Sequence, residues 1–126
     1  MHFTELDTPA LCIDLDVLEK NIDDLQSACN RLEIPLRVHT KTHKTPAIAR
    51  KQIAAGAIGI VSQKLGEAEA MAAGGIADIL IPYNIVGQAK LKRLTQLVKS
   101  GKSTITVSAD SNITVDGLSQ AASSDK

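Results

Sequence analysis

The sequence predicts an α/β fold built from consecutive βα units with parallel strands, and three observations predict it. Short apolar runs alternate with stretches of helical length and helical periodicity. Those stretches are bounded by capping residues at one end and by glycines at the other. The apolar runs end near Lys41, Gln63, Tyr83 and Asp110, at separations of 22, 20 and 27 residues, which suits a loop, a helix and the next strand each time.

The elements follow in order. Residues 10–14 read as a short strand. Asp16 then opens a helix as an acidic N-cap, with Glu19 three positions on as a variant capping box. Leu18, Ile22, Leu25, Cys29 and Leu32 form one apolar stripe on that helix. Residues 36–41 read as the next strand, bounded by Pro35 and a polar run. Thr45 caps a helix with Pro46 at its first position and Gly56 past its end, and residues 57–63 form a strand. A helix over 66–73 stops at Gly74 and Gly75, and a strand covers 78–83. A helix over 88–100 presents Leu91, Leu94, Leu97 and Val98 on one side and ends at Gly101. A strand over 103–109, a last helix over 113–122 and a polar tail over 123–126 complete the chain.

No linker divides these units. A closed eight-stranded barrel usually takes about 250 residues, and this chain supplies about four strand–helix pairs after its leading strand and helix. The pattern fits either about half of such a barrel or a small open parallel sheet, and periodicity alone does not separate the two.

Composition narrows the function classes. Fourteen Lys and Arg balance fourteen Asp and Glu, so bulk charge gives no reason to expect nucleic acid or an anionic membrane as partner. No apolar run approaches the roughly 18 residues of a membrane span, and the N-terminus lacks a basic region followed by an apolar stretch, which points to the cytoplasm. Cys12 and Cys29 stand apart from any Cys/His cluster and read as small core residues. No dinucleotide-binding or phosphate-loop glycine motif occurs.

The stretch most capable of chemistry is Arg37-Val38-His39-Thr40-Lys41-Thr42-His43-Lys44, at the end of a predicted strand. Strand alternation puts Arg37, His39 and Lys41 on one face. A lysine among other cations has its ammonium form disfavoured, and the neutral amine is the nucleophile toward an aldehyde. A solvated basic turn is the alternative reading. His39 and His43 are four apart, but a strand does not give them the geometry of a helical two-histidine metal site.

The chain resembles the alanine-racemase-like, fold-type III pyridoxal-phosphate (PLP) enzymes, and most of all their D-threonine aldolase and D-serine dehydratase group. The resemblance rests on DTPALCIDLDVLEKNI at 7–22, LRVHTKTHKTP at 36–46, GAIGIVSQKLGEAEAMAAGGIADILIPYNIVG at 56–87 and a weaker VSAD at 107–110. It implies that 36–41 opens the N-terminal portion of a (β/α) TIM barrel, about half of which is present, while 10–14 belongs to a companion β domain. The whole chain, 1–126, would be a partial PLP-binding barrel domain lacking the C-terminal β domain.

The resemblance further implies that Lys41 forms the Schiff base with PLP. It also implies that Arg37, His39 and Gln63 lie at the cofactor site, with Tyr83 and Asn84 lining the pocket. The family more often has Pro at the position of Val38, which faces away from the site in the strand reading. Asp110 matches a recurring acidic position but serves equally well as a helix cap, and it stays outside the catalytic set.

A divalent metal is implied only for full-length aldolase and dehydratase members, through a His-x-Cys pair in the C-terminal domain. Neither Cys12 nor Cys29 has a histidine two positions before it. The expected function is a PLP-dependent lyase acting on D-amino acids, of the D-threonine aldolase or D-serine dehydratase type, truncated and inactive alone. The other hypothesis is a non-catalytic PLP-binding protein or an inactive fragment of a racemase-like enzyme. Association, as a homo-oligomer or through exposed barrel edges, is expected because half a barrel leaves strand edges uncovered.

Overall fold

In the computed structural model, which describes residues 2–124, four parallel strands stand side by side in chain order. They are β1 (Arg37–His39), β2 (Gly59–Val61), β3 (Asp78–Ile81) and β4 (Thr104–Val107). The helices are α1 (Leu15–Arg31), α2 (Pro46–Ala54), α3 (Leu65–Ala73), α4 (Gln88–Lys99) and α5 (Asn112–Ser123), with one 3₁₀ turn at Phe3–Glu5. The sequential order is that of a singly wound sheet, in which right-handed crossovers place successive helices on one side. It separates the two architectures left open by periodicity in favour of the barrel portion. Of the polar tail, residues 125–126 lie outside the described residues.

The register shows which face is which. Val38 is level with Ile60, and Ile60 with Ile79, which is level with Ile105. Ile60, Ile79 and Ile81 are fully buried against Ala49, Ala68, Met71, Leu91 and Leu94 of the helices. The intervening residues point the other way: Arg37 and His39 on β1, Val61 on β2, Asp78 and Leu80 on β3, all only partly buried. Hydrophobic burial therefore fixes one sheet face as core and leaves the other as a half-open concave surface. β1 and β4 are the two edges of the sheet.

Local signals held best where a side chain closes the helix itself. Thr45 Oγ1 accepts the Ala47 N–H, Pro46 occupies the first turn, and Gly56 takes φ +124 past the end of α2. Leu91, Leu94 and Leu97 are buried as their spacing requires, but Val98 is half exposed beside α5.

The first helix departs from expectation in three ways. Its N-cap is Asp14, whose carboxylate accepts the Val17 N–H, so Asp16 lies inside the first turn, where a carboxylate favours the helix dipole instead. Its stripe is only partly used: Leu25 and Leu32 are exposed, and the buried residue is Gln26. The cause is that α1 packs mainly on α2 and leaves a space of about 240 Å³ toward Leu36 and Val38. Finally, residues 10–14 are not a strand: among the described residues no strand pairs with them, and Leu11 is 95% exposed. Cys12, in that segment, is exposed and Cys29 is half buried, so neither is a core residue.

Three of the expected strands are trimmed at both ends, and the one over 78–83 only at its C-terminal end. Those over 36–41, 57–63, 78–83 and 103–109 are each reduced to the three or four residues that pair on the ladder. The trimmed ends become the loops at the C-terminal rim, where the candidate site lies.

Candidate functional site

Past His39 the chain leaves the sheet in one closed turn. Thr40 is fully buried, and both its N–H and its Oγ1 donate to Val61 O, at 2.9 and 3.1 Å. The Lys44 N–H then returns to Thr40 O at 2.8 Å, closing an α-turn around Lys41, Thr42 and His43. Lys44 has φ +50, in the left-handed region that side chains other than glycine's rarely occupy, and this reversal delivers the chain to the Thr45 cap of α2.

The two histidines account for much of the turn. The His39 ring accepts the Lys41 N–H at Nδ1, 3.2 Å, and the His43 ring accepts the Thr45 N–H in the same way, also 3.2 Å. In the neutral ring this leaves the proton on Nε2 of each. His43 is half buried, and burial holds its pKa below the ordinary histidine range, offset in part by Gln52. Its Nε2 and Gln52 Oε1 are buried without closing a hydrogen bond.

Lys41 is exposed at the tip of this turn, beyond the strand on which alternation had placed it. Among the described residues its amine has no ion-pair or hydrogen-bond partner. Lys44 differs: its Nζ lies 3.3 Å from Glu67 Oε1. Glu67 is itself buried at 9% exposure, and its Oε2 accepts the Gln63 N–H at 3.0 Å. One carboxylate thus joins the loop after β1 to the loop after β2.

Arg37 sits elsewhere. It starts β1, four residues before Lys41, which is roughly 13 Å along an extended chain. Its guanidinium lies across Gly59 and grips Asp78 with two bonds, 2.8 and 3.2 Å, and it reaches Ile60 O at 3.4 Å. Hydrogen bonding to Arg37 holds the Asp78 carboxyl below the usual carboxylate range, and Asp78 raises the Arg37 pKa in turn. The pair occupies the N-terminal end of the concave face, the end opposite the turn.

Gln63, Tyr83 and Asn84 are brought together. They line a cleft of about 450 Å³ at the rim of β2 and β3, with Lys64, Lys90 and Arg93 on its walls. Arg93 is engaged by Glu69, and Asn84 Nδ2 donates to Asp110 Oδ1 at 2.6 Å, linking the loops after β3 and β4. Lys41, His39 and Arg37 do not line this cleft. The six residues singled out from the sequence therefore fall in three places: the turn, the rim cleft and the far end of the sheet.

Sequence reasoning missed Glu67 and Asp78. For Glu67 a signal existed, since it stands at the third position of α3, where an acid can reach back to the entering backbone. Nothing local marked Asp78, whose partner is distant in sequence. Among the described residues no group of three or more His, Cys, Asp or Glu side chains is placed to hold a metal ion. No helix among them is long and apolar enough to cross a membrane.

No protein-family model matches the chain. It is 43% identical over 116 residues to D-threonine aldolase from an Arthrobacter species, which covers 92% of this chain and 30% of that protein. It is 41% identical over 96 residues to D-threo-3-hydroxyaspartate dehydratase from a Delftia species, covering 76% of this chain and 25% of the relative. The crystal structure of D-threonine aldolase from Filomicrobium marinum superposes with a TM-score of 0.91 at 38% identity, over 97% of this chain and 32% of the other. The chain thus spans about a third of the length of the relatives it matches.

Proposed function

We propose, from the premise that this chain belongs to the D-threonine aldolase group of fold-type III PLP enzymes, that it carries the lysine end of a lyase acting on small D-amino acids. Lys41 is the residue assigned to hold the cofactor. One observation carries this reading: at the C-terminal rim of a parallel sheet, an exposed lysine is presented on a closed turn with its amine unengaged among the described residues, while its neighbour Lys44 is paired. The rim is where the sites of such barrels assemble.

The donor set fits an aldehyde cofactor. Among the described residues the amine has no carboxylate to leave, and the His39 ring holds the Lys41 backbone by accepting its N–H. When bound, PLP supplies the electron sink for bond cleavage at the substrate α-carbon. The chain's own part is to present Lys41 Nζ, first as the point of attachment and then as the group that takes or returns a proton at the α-carbon. Gln63, Tyr83 and Asn84 offer amide and phenol groups to a bound ligand from the rim cleft. Arg37, committed to Asp78, serves this site by tying β1 to β3 across β2.

The open edges of β1 and β4 support association, either with a second copy or with further β/α units. The setting we assign is the cytoplasm, with neither nucleic acid nor membrane as partner, in line with the balanced charge. The test is borohydride reduction of the chain with PLP, followed by peptide mapping. A phosphopyridoxyl group should be found on Lys41, Lys41→Ala should abolish it, and D-threonine should perturb the visible absorption of the loaded chain where L-threonine does not. Equal labelling of many surface lysines would refute the assignment, and an identical response to both threonines would refute the substrate class.

A further inference from the structure

Two lysines stand three residues apart in one turn, and nothing in their local sequence makes one of them the better nucleophile. The structure separates them by what each would have to give up. To attack an aldehyde, an amine must be neutral and free to move. Lys44 would have to leave Glu67, whose carboxylate is 9% exposed and has the Lys44 ammonium, 3.3 Å away, as its ion-pair partner. A carboxylate buried without a cation is costly, so the departure of Lys44 is opposed by the group it leaves behind.

The backbone opposes it as well. The Lys44 N–H closes the turn on Thr40 O, and its left-handed φ of +50 fixes the direction from which its side chain starts. Glu67 cannot follow the lysine outward, because its other oxygen holds the Gln63 N–H at 3.0 Å at the start of α3. Lys41 gives up nothing of this kind among the described residues.

We infer that Glu67 is a positioning residue that withdraws Lys44 from reaction and joins the two rim loops, leaving Lys41 as the reactive member of the pair. The inference rests on the reading that Lys41 is the attachment lysine, but its test does not require PLP to bind. In limited acetylation of the full chain with N-hydroxysuccinimidyl acetate, mapped by mass spectrometry, Lys44 should react about tenfold more slowly than Lys41, the scale of one charge-assisted hydrogen bond. Glu67→Gln keeps the shape and an acceptor for the Gln63 N–H but removes the charge, and it should bring the two rates to within about twofold of each other. Glu67→Asp, which keeps the charge, should restore part of the difference.

Equal acetylation of the two lysines in the unaltered chain would overturn the inference, and that measurement needs no variant to fold. An unchanged ratio in a folded Glu67→Gln chain would overturn it too. Borohydride labelling with PLP forms a separate arm: label confined to Lys41 should spread to Lys44 in Glu67→Gln. If PLP marks neither lysine while the acetylation contrast holds, the cofactor reading falls and the role of Glu67 stands.

Discussion

Replacing Gly59 by alanine tests how the concave face is held together. A Cβ at Gly59 would lie 2.4 Å from Arg37 Nη1 and 2.9 Å from Asp78 O. The guanidinium would have to lift off β2, which breaks its two-pronged grip on Asp78, and the β2–β3 ladder would have to open by a few tenths of an ångström. The side chain of Asp78 is 40% exposed, so loss of the pair is discounted to about 1 kcal/mol. Crowding against backbone adds about 1–3 kcal/mol, and replacing a strand glycine returns roughly 0.5–1 kcal/mol. The net cost expected is about 1–3 kcal/mol in urea denaturation. Arg37→Met removes the guanidinium, so Gly59→Ala made in that background should cost about 1 kcal/mol less than in the unaltered chain. If the two substitutions simply add, to within about 0.3 kcal/mol, Gly59 is not there to let Arg37 cross, and the account of this face is wrong.

Two further outcomes are expected. Burial holds the folded-state pKa of His43 below its unfolded value of about 6.5, so the unfolded chain takes up this proton first as pH falls. Stability should be unaffected by His43 above about pH 7.5 and decline as pH drops through about 6.5 toward the folded-state pKa. Urea midpoints measured across this range should lose that slope in His43→Asn, and an identical slope would exclude His43 as its source. Thr40→Val keeps shape but deletes the Oγ1 bond to Val61 O from a fully buried site. It should cost about 1–2 kcal/mol and speed amide exchange at Lys44, whose N–H closes the turn on Thr40 O. Exchange at Lys44 unchanged from the parent chain would show that Thr40 does not anchor the turn.

What could be read from the sequence was whatever residues decide among near neighbours. Thr45, Pro46 and Gly56 settle the ends of α2 by capping and backbone preference, and Leu91, Leu94 and Leu97 settle the buried side of α4 by periodicity. Lys41 could be singled out because its turn is local, although strand alternation was the wrong reason, since β1 ends at His39. Features that depend on distant partners could not be read this way. The stripe on α1 was real as a pattern, yet how much of it is covered depends on what packs there, and Gln26 took the buried place instead of Leu25. Arg37 looked like a ligand-binding cation because Asp78, its partner on β3, lies far along the chain. Glu67 was hidden for the same reason: its two contacts come from separate loops that only the parallel sheet brings side by side.

The turn that carries Lys41 joins a fixed backbone to an exposed side chain within a single residue. Its backbone is tied at Thr40, at the Lys41 N–H and at Lys44, so the main chain has already lost its freedom when the protein folds. The four methylenes and the amine beyond it are exposed and, among the described residues, without a polar partner to fix them. A lysine side chain forfeits roughly 1.5–2 kcal/mol of rotamer entropy when it is fixed, and here that sum falls due at the moment of attachment rather than at folding. The first molecule to bond to Lys41 bears it, whereas any later molecule that finds the side chain already pinned does not. Exchange between two partners at this amine is then entropically nearly neutral, although capture of the first is uphill.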